Sequence, residues 1–136
     1  MPEPSSAPRP VSADFRRLAA ALDGELHWDD TMRTLYATDA SEYRELPAAV
    51  ALPRTEADLR ALLAFARDHR LGIIPRGAGT SLAGQVVGRG IVVDLGRHLN
   101  RIVALDALRR RVRVQPGVVR NELNLYLHPH GLLFGP

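Results

Sequence analysis

Pro75-Arg76-Gly77-Ala78-Gly79-Thr80-Ser81-Leu82-Ala83-Gly84-Gln85 is the stretch on which this 136-residue chain turns. It follows the apolar run Ile73-Ile74 and precedes Ile91-Val92-Val93-Asp94-Leu95, and both flanks read as strands. Between them the glycines at 77, 79, 84, 88 and 90 exclude a helix and mark a loop. Glycine lets the main chain approach a ligand closely and adopt positive φ. Successive exposed N–H groups then make a concave anion site. Thr80 and Ser81 add hydroxyl donors. A phosphate or pyrophosphate suits such a loop; a glycine-rich surface turn is the alternative that the residues leave open.

Two familiar phosphate loops do not fit. A Walker A loop requires Gly-Lys-Ser/Thr, and the chain contains no lysine. A dinucleotide fingerprint requires G-x-G-x-x-G opening a helix. Gly77 and Gly79 fill the first two places, but Leu82 stands in the third. Gly84, Gly88 and Gly90 would break the helix that must follow.

Upstream, Thr55 stands three residues before Asp58, a capping box that opens a helix. Leu59, Leu62, Leu63 and Ala66 form its apolar stripe, Arg67 and Arg70 suit its negative end, and Gly72 closes it. Ala48 to Leu52, bracketed by Pro47 and Pro53, reads as a short buried strand. A first helix, capped by Ser12, carries Phe15, Leu18, Ala19 and Leu22 at helical spacing, with Gly24 as its stop. His27 to Glu45 reads as irregular or short elements. Downstream, Arg101 to Asp106 and Arg111 to Gln115 alternate as an antiparallel pair turning at Ala107 to Arg110. A helix over about 118–127 follows, with Leu123 and Leu127 inward. The apolar run into Gly135-Pro136 reads as the approach to a turn, with more of the domain beyond it.

Hydrophobic residues make up 46% and charged residues 24%, a composition that argues against disorder. The lack of cysteine excludes disulfides, thiolate metal sites, iron–sulfur ligation and a cysteine nucleophile within these residues, and agrees with a cytoplasmic location. The pI of about 10.1 suggests a nucleic-acid binder. All 18 basic residues are arginine, however, and guanidinium titrates above about 12, so a net charge of only +3 already yields that pI. The arginines are interleaved with 15 acids and dense only at Arg109-Arg110-Arg111 and Arg113, so they read as solvated charge. No apolar run reaches the ~18 residues of a membrane span. Met1 to Pro10 lacks the apolar centre of a secretory signal; residues 1–11 read as a flexible lead-in and 12–136 as the folded part.

The stretch from Ile74 to Gln85 closely resembles the pyrophosphate loop of FAD-linked oxidases of the glycolate oxidase and D-lactate dehydrogenase type. These share the FAD-binding fold of vanillyl-alcohol oxidase and p-cresol methylhydroxylase. The likeness extends, in the family's order, over Tyr36-Ala37-Thr38-Asp39-Ala40-Ser41-Glu42-Tyr43, Val50 to Leu59, Val112 to Val118 and His130 to Pro136. It implies an α+β fold: the N-terminal part of a two-subdomain FAD-binding domain, with mixed β-sheets flanked by helices. It also implies that Gly77, Ala78, Gly79, Thr80 and Ser81 present donors to the FAD pyrophosphate, with Gly84 and Gln85 beside it. Pro136 would open a second flavin-contacting region. Some relatives attach the flavin through a histidine just after Arg-Gly-x-Gly; that place is Thr80 here, so the implied FAD is non-covalent.

The activity implied for the whole protein is oxidation of a small 2-hydroxy acid such as D-lactate or glycolate. Hydride would pass to the flavin and electrons onward to an iron–sulfur or quinone acceptor, with a location that is cytoplasmic or peripheral to the inner membrane. The substrate domain and its base lie outside these residues, and the piece alone is expected to be inactive. A non-catalytic module of the same fold that binds no flavin is the alternative, and an arginine-rich nucleic-acid binder a third.

Other residues read more plainly. Arg76 either assists the phosphate or braces the loop from behind. His27, His69, His98, His128 and His130 read as surface or helix-end residues rather than metal ligands. Asp39, Glu42 and Glu45 read as solvated acids beside Arg44, and Trp28, Tyr36 and Tyr43 as packing aromatics.

Overall fold

A computed structural model gives the fold and describes residues 11–135. The lead-in expected over residues 1–11 lies outside the described residues, apart from Val11.

Four strands form the main sheet: β1 (Glu25–His27), β2 (Ala49–Leu52), β3 (Ile73–Arg76) and β4 (Ile91–Asp94). Their order is β1-β2-β4-β3. β1 is antiparallel to β2, whereas β2, β4 and β3 run parallel. Ala49, Val50, Ala51, Ile91 and Val92 have no exposed surface, because β2 and β4 are covered on both faces. That is why both read as unbroken apolar runs rather than alternating ones. Helices α1 (Ser12–Ala20) and α3 (Glu56–Asp68) lay Phe15, Leu18, Leu62 and Ala66 against Ala49, Ala51, Ile91 and Val93. Trp28 stacks on Phe15 at the edge of this core, which bears out its reading as a packing residue.

α3 starts where its capping box placed it, with the Thr55 hydroxyl accepting the Asp58 amide at 3.2 Å. Asp58 does more than cap. It is buried, and its carboxylate accepts amides from Asp23, Gly24, Arg54 and Thr55 at 2.8–3.2 Å. One side chain thus ties the entry to β1 to the turn between β2 and α3. Gly24 belongs to the same knot: a β-carbon there would lie 2.9 Å from Pro53 Cα. It therefore serves a close approach of two backbones rather than a helix stop, and α1 already ends at Ala20.

Three expectations for the helices need correction. Leu63 is exposed, because the inward face of α3 runs through Asp58, Leu62 and Ala66 with Phe65 beside them. The left-handed residue after α3 is Arg70, at φ 52°, not Gly72. Gly72 instead accepts the Ile91 amide and lies under Gly90, whose β-carbon would meet Gly72 C at 2.7 Å. Finally, Val11 rather than Ser12 occupies the cap of α1, and Asp14 reaches back to accept the Val11 amide at 2.9 Å.

The stretch read as irregular or short elements, His27 to Glu45, starts at the last residue of β1 and holds a short helix, α2 (Asp30–Leu35), capped by Asp29 accepting the Met32 amide. Past the main sheet, β5 (Ile102–Asp106) and β6 (Arg111–Val114) form the expected antiparallel hairpin, with an irregularity between Ile102 and Ala104. Asp106 accepts the Arg109 amide and Arg110 takes φ 53°, which closes the turn. The hairpin is tied back at Gly117, which donates to the Leu99 carbonyl at 2.8 Å. A β-carbon at Gly117 would lie 2.8 Å from Gly96 Cα. α4 (Arg120–Leu127) then buries Leu123 and Leu127. Among the described residues, no helix is long and apolar enough to cross a membrane.

Candidate functional site

The loop over residues 77–90 leaves the carboxyl end of β3 and returns to the start of β4, its parallel neighbour. In open sheets with parallel strands, ligands bind beyond the carboxyl ends of the strands, which is where this loop begins. Asp94, at the carboxyl end of β4, is the register partner of Arg76.

The main chain of the first part of the loop is open. Among the described residues, the amides of Gly77, Ala78, Gly79, Thr80 and Ser81 donate to no group of the chain. Gly77, Ala78 and Thr80 are exposed. Gly79 has φ 69° and Gly84 φ 70°, conformations that glycine adopts without strain. The second part folds on itself: the Ser81 hydroxyl donates to Gln85 Oε1 and accepts the amides of Ala83 and Gln85 at 3.3 and 3.1 Å. Five consecutive amides left without carbonyl partners have the chemistry of an anion cradle. A β-carbon at Gly77 would meet nothing within 4 Å, so the space above that residue is open.

The segment 36–43 lies against the loop. The Ala40 amide donates to the Gly79 carbonyl at 3.1 Å, and Arg76 Nη1 donates to the Thr38 carbonyl at 2.7 Å. The Arg76 guanidinium also lies over the Tyr36 ring, 5.2 Å from its centroid. Tyr36 in turn donates its hydroxyl to Asp94 at 2.6 Å. Burial and the Asp94 carboxylate together push the Tyr36 phenol up to about 12. Tyr43 is exposed, and its ring covers Gly84, where a β-carbon would meet Tyr43 Cδ2 at 2.7 Å. The sequence grouped Tyr36 and Tyr43 with Trp28 as packing residues; these two serve the loop instead.

Of the two roles read for Arg76, its side chain has the contacts of a brace. Its guanidinium occupies the place of a Gly79 side chain, with a β-carbon there falling 2.8 Å from Arg76 Cζ. Asp39 accepts the Ser41 amide and hydroxyl, and its carboxyl sits below the ordinary value chiefly through the Ser41 hydroxyl, against its own desolvation. Glu45 pairs with Arg89 at 2.8 Å. Pro136 lies outside the described residues.

With these features in place, comparison with known proteins gives the class. The family described as FAD binding domain matches residues 47–136, and the chain belongs to it. D-2-hydroxyglutarate dehydrogenase of Haemophilus influenzae is 40% identical over 118 residues, which are 85% of this chain and 12% of that protein. Glycolate oxidase subunit GlcD of Bacillus subtilis is 31% identical over 130 residues, covering 93% of this chain and 28% of the subunit. The mitochondrial D-lactate dehydrogenase [cytochrome] of Kluyveromyces lactis is 37% identical over 106 residues, 75% of this chain and 18% of that enzyme.

Among solved structures, alkyldihydroxyacetonephosphate synthase superposes with a TM-score of 0.75 at 22% identity, over 96% of this chain and 27% of that one. p-Cresol methylhydroxylase superposes with a TM-score of 0.67 at 16% identity, over 90% of this chain and 26% of that one. These two likenesses concern the fold, and they bear out the α+β FAD-binding architecture of the p-cresol methylhydroxylase type. FAD is the cofactor of the family to which the chain belongs.

Proposed function

We propose that this chain is the FAD-binding portion of a flavin-dependent oxidoreductase acting on a small 2-hydroxy acid. D-lactate, glycolate and D-2-hydroxyglutarate are the substrates that the names of its relatives suggest. The observation that carries the reading is the run of unpartnered amides from Gly77 to Ser81 at the carboxyl edge of β3 and β4.

Those amides, with the hydroxyl of Thr80, hold the FAD pyrophosphate, and Gly84 and Gln85 flank it; the Ser81 hydroxyl, expected as a further donor, is spent on Gln85 and shapes the second part of the loop instead. Pro136 opens the second contact region. The cofactor is held non-covalently, since Thr80 and the absence of cysteine leave no attachment point in the loop. When bound, FAD supplies the acceptor for the hydride on the hydroxy-acid carbon. This chain's part is to bind and orient: amide dipoles offset the phosphate charge, and the strand ends fix where the loop begins.

Residues 12–136 form one portion of the domain. The substrate pocket, the base that takes the hydroxyl proton and the route to an iron–sulfur or quinone acceptor belong to other parts of the protein. We place that protein in the cytoplasm or peripheral to the inner membrane, and this portion alone is inactive.

The test is anaerobic spectroscopy of the purified full-length protein. It should be yellow, release FAD on denaturation and bleach with one of a panel of 2-hydroxy acids. A colourless, flavin-free protein would contradict the proposal.

A further inference from the structure

We propose that Arg76 is the positioning residue of the phosphate loop, setting the course of the main chain at Gly79 so that the neighbouring amides stay free for an anion. The proposal rests on the reading of this loop as the pyrophosphate site.

Arg76 ends β3 and is fixed at its backbone by pairing with Asp94. Its side chain is then fixed on three sides. Nη1 donates to the Thr38 carbonyl at 2.7 Å. The planar guanidinium lies 5.2 Å over the Tyr36 ring, a contact that favours a flat cation. The third side meets Gly79, where the guanidinium fills the space of a side chain. Gly79 is held from the other direction as well, its carbonyl accepting the Ala40 amide. Arg76 and Ala40 thus pin one residue, and that residue takes φ 69°.

The mount under Arg76 is itself rigid. Tyr36 is anchored by its hydroxyl to Asp94, so ring, guanidinium and loop stack outward from the end of β4. Among the described residues, no carboxylate lies within ion-pair distance of Arg76. Its charge is therefore not cancelled by contact and favours an anion at the loop. A lysine could reach the Thr38 carbonyl but could not stack flat on Tyr36 and fill the space under Gly79 together.

The test uses the full-length protein with Arg76→Lys, Arg76→Ala and Gly79→Ala, alone and combined. FAD dissociation constants and the thermal midpoint of the flavin-free form are the readouts. R76K should weaken FAD binding about tenfold, because it keeps the bond to the Thr38 carbonyl but loses the contact on the Tyr36 ring and the filling under Gly79, while the midpoint stays near wild type. G79A should cost much less FAD affinity in the R76A background than in wild type, because the guanidinium it collides with is gone. If R76A does not fold, the same cycle is run with R76K.

R76K binding FAD like wild type, or additive losses in the cycle, would overturn the positioning role. So would a fall in midpoint that accounts for the lost affinity, which would mark a merely structural residue. A wild-type protein that binds no FAD would instead overturn the functional reading beneath it.

Discussion

The Tyr36 hydroxyl donates to the Asp94 carboxylate at 2.6 Å, joining the segment after α2 to the carboxyl end of β4 across 58 residues of sequence. Burial and this bond raise the phenol to about 12. Ionisation would remove the proton that Asp94 accepts and set two negative charges side by side. Because the folded value lies above the unfolded value of about 10, the contribution to stability is whole below that pH and is lost as pH rises through about 12. Titration by tyrosinate absorbance should show one late-ionising tyrosine, and Tyr36→Phe should abolish it. The same substitution should lower stability by about 1.5 kcal/mol at neutral pH, the typical worth of a hydrogen bond to a charged group. An unchanged titration curve in the variant would remove this link.

Gly77 and Gly79 separate ligand effects from folding effects. A β-carbon at Gly77 meets nothing within 4 Å, and its φ is not in the left-handed region. Gly77→Ala should therefore fold with an unchanged thermal midpoint yet bind FAD at least about tenfold more weakly, because the methyl enters the space of the phosphate. Gly79→Ala should lower the midpoint as well, by about 1 kcal/mol in stability for the forced positive φ. Full FAD affinity in the Gly77 variant would show that the open space is not a phosphate seat.

Asp58 sets the acid limit of the fold. Burial raises its pKa, but four backbone N–H donors outweigh that cost and hold the carboxyl below its ordinary range. A depressed folded value means that its contribution is present above the unfolded value, about 3.9, and is lost as pH falls through the folded one. Asp58→Asn turns an NH2 group toward backbone donors and should cost about 3 kcal/mol at neutral pH. Its acid unfolding curve should also be flatter than that of wild type. Equal acid midpoints for the two proteins would contradict this role.

The elements legible in the sequence were those with local signals. The Thr55–Asp58 box, the β-branched run of β4 and the hairpin turn at Ala107 to Arg110 each state their structure within a few residues. β1 and α2 were not legible, since three and six residues are too short to show a period. The loop's glycines read as an anion site, but they do not tell what braces the loop. The Tyr36–Asp94–Arg76 stack joins residues that lie far apart in the chain and meet only once β3 and β4 pair. Likewise Asp58 announced its cap, but not its bonds to Asp23 and Gly24, which depend on how the turn before β1 crosses α3. Gly24 and Gly90 read as breakers; in the fold they, like Gly117, are places where two backbones touch.

The most direct measurement is amide chemical-shift mapping of the isotopically labelled, flavin-free protein as FAD is added. The amides of Gly77, Ala78, Gly79, Thr80 and Ser81 should shift in step with binding, more than those of the β5–β6 hairpin. If FAD binds while those five amides stay where they were, the loop does not hold the diphosphate and the account fails.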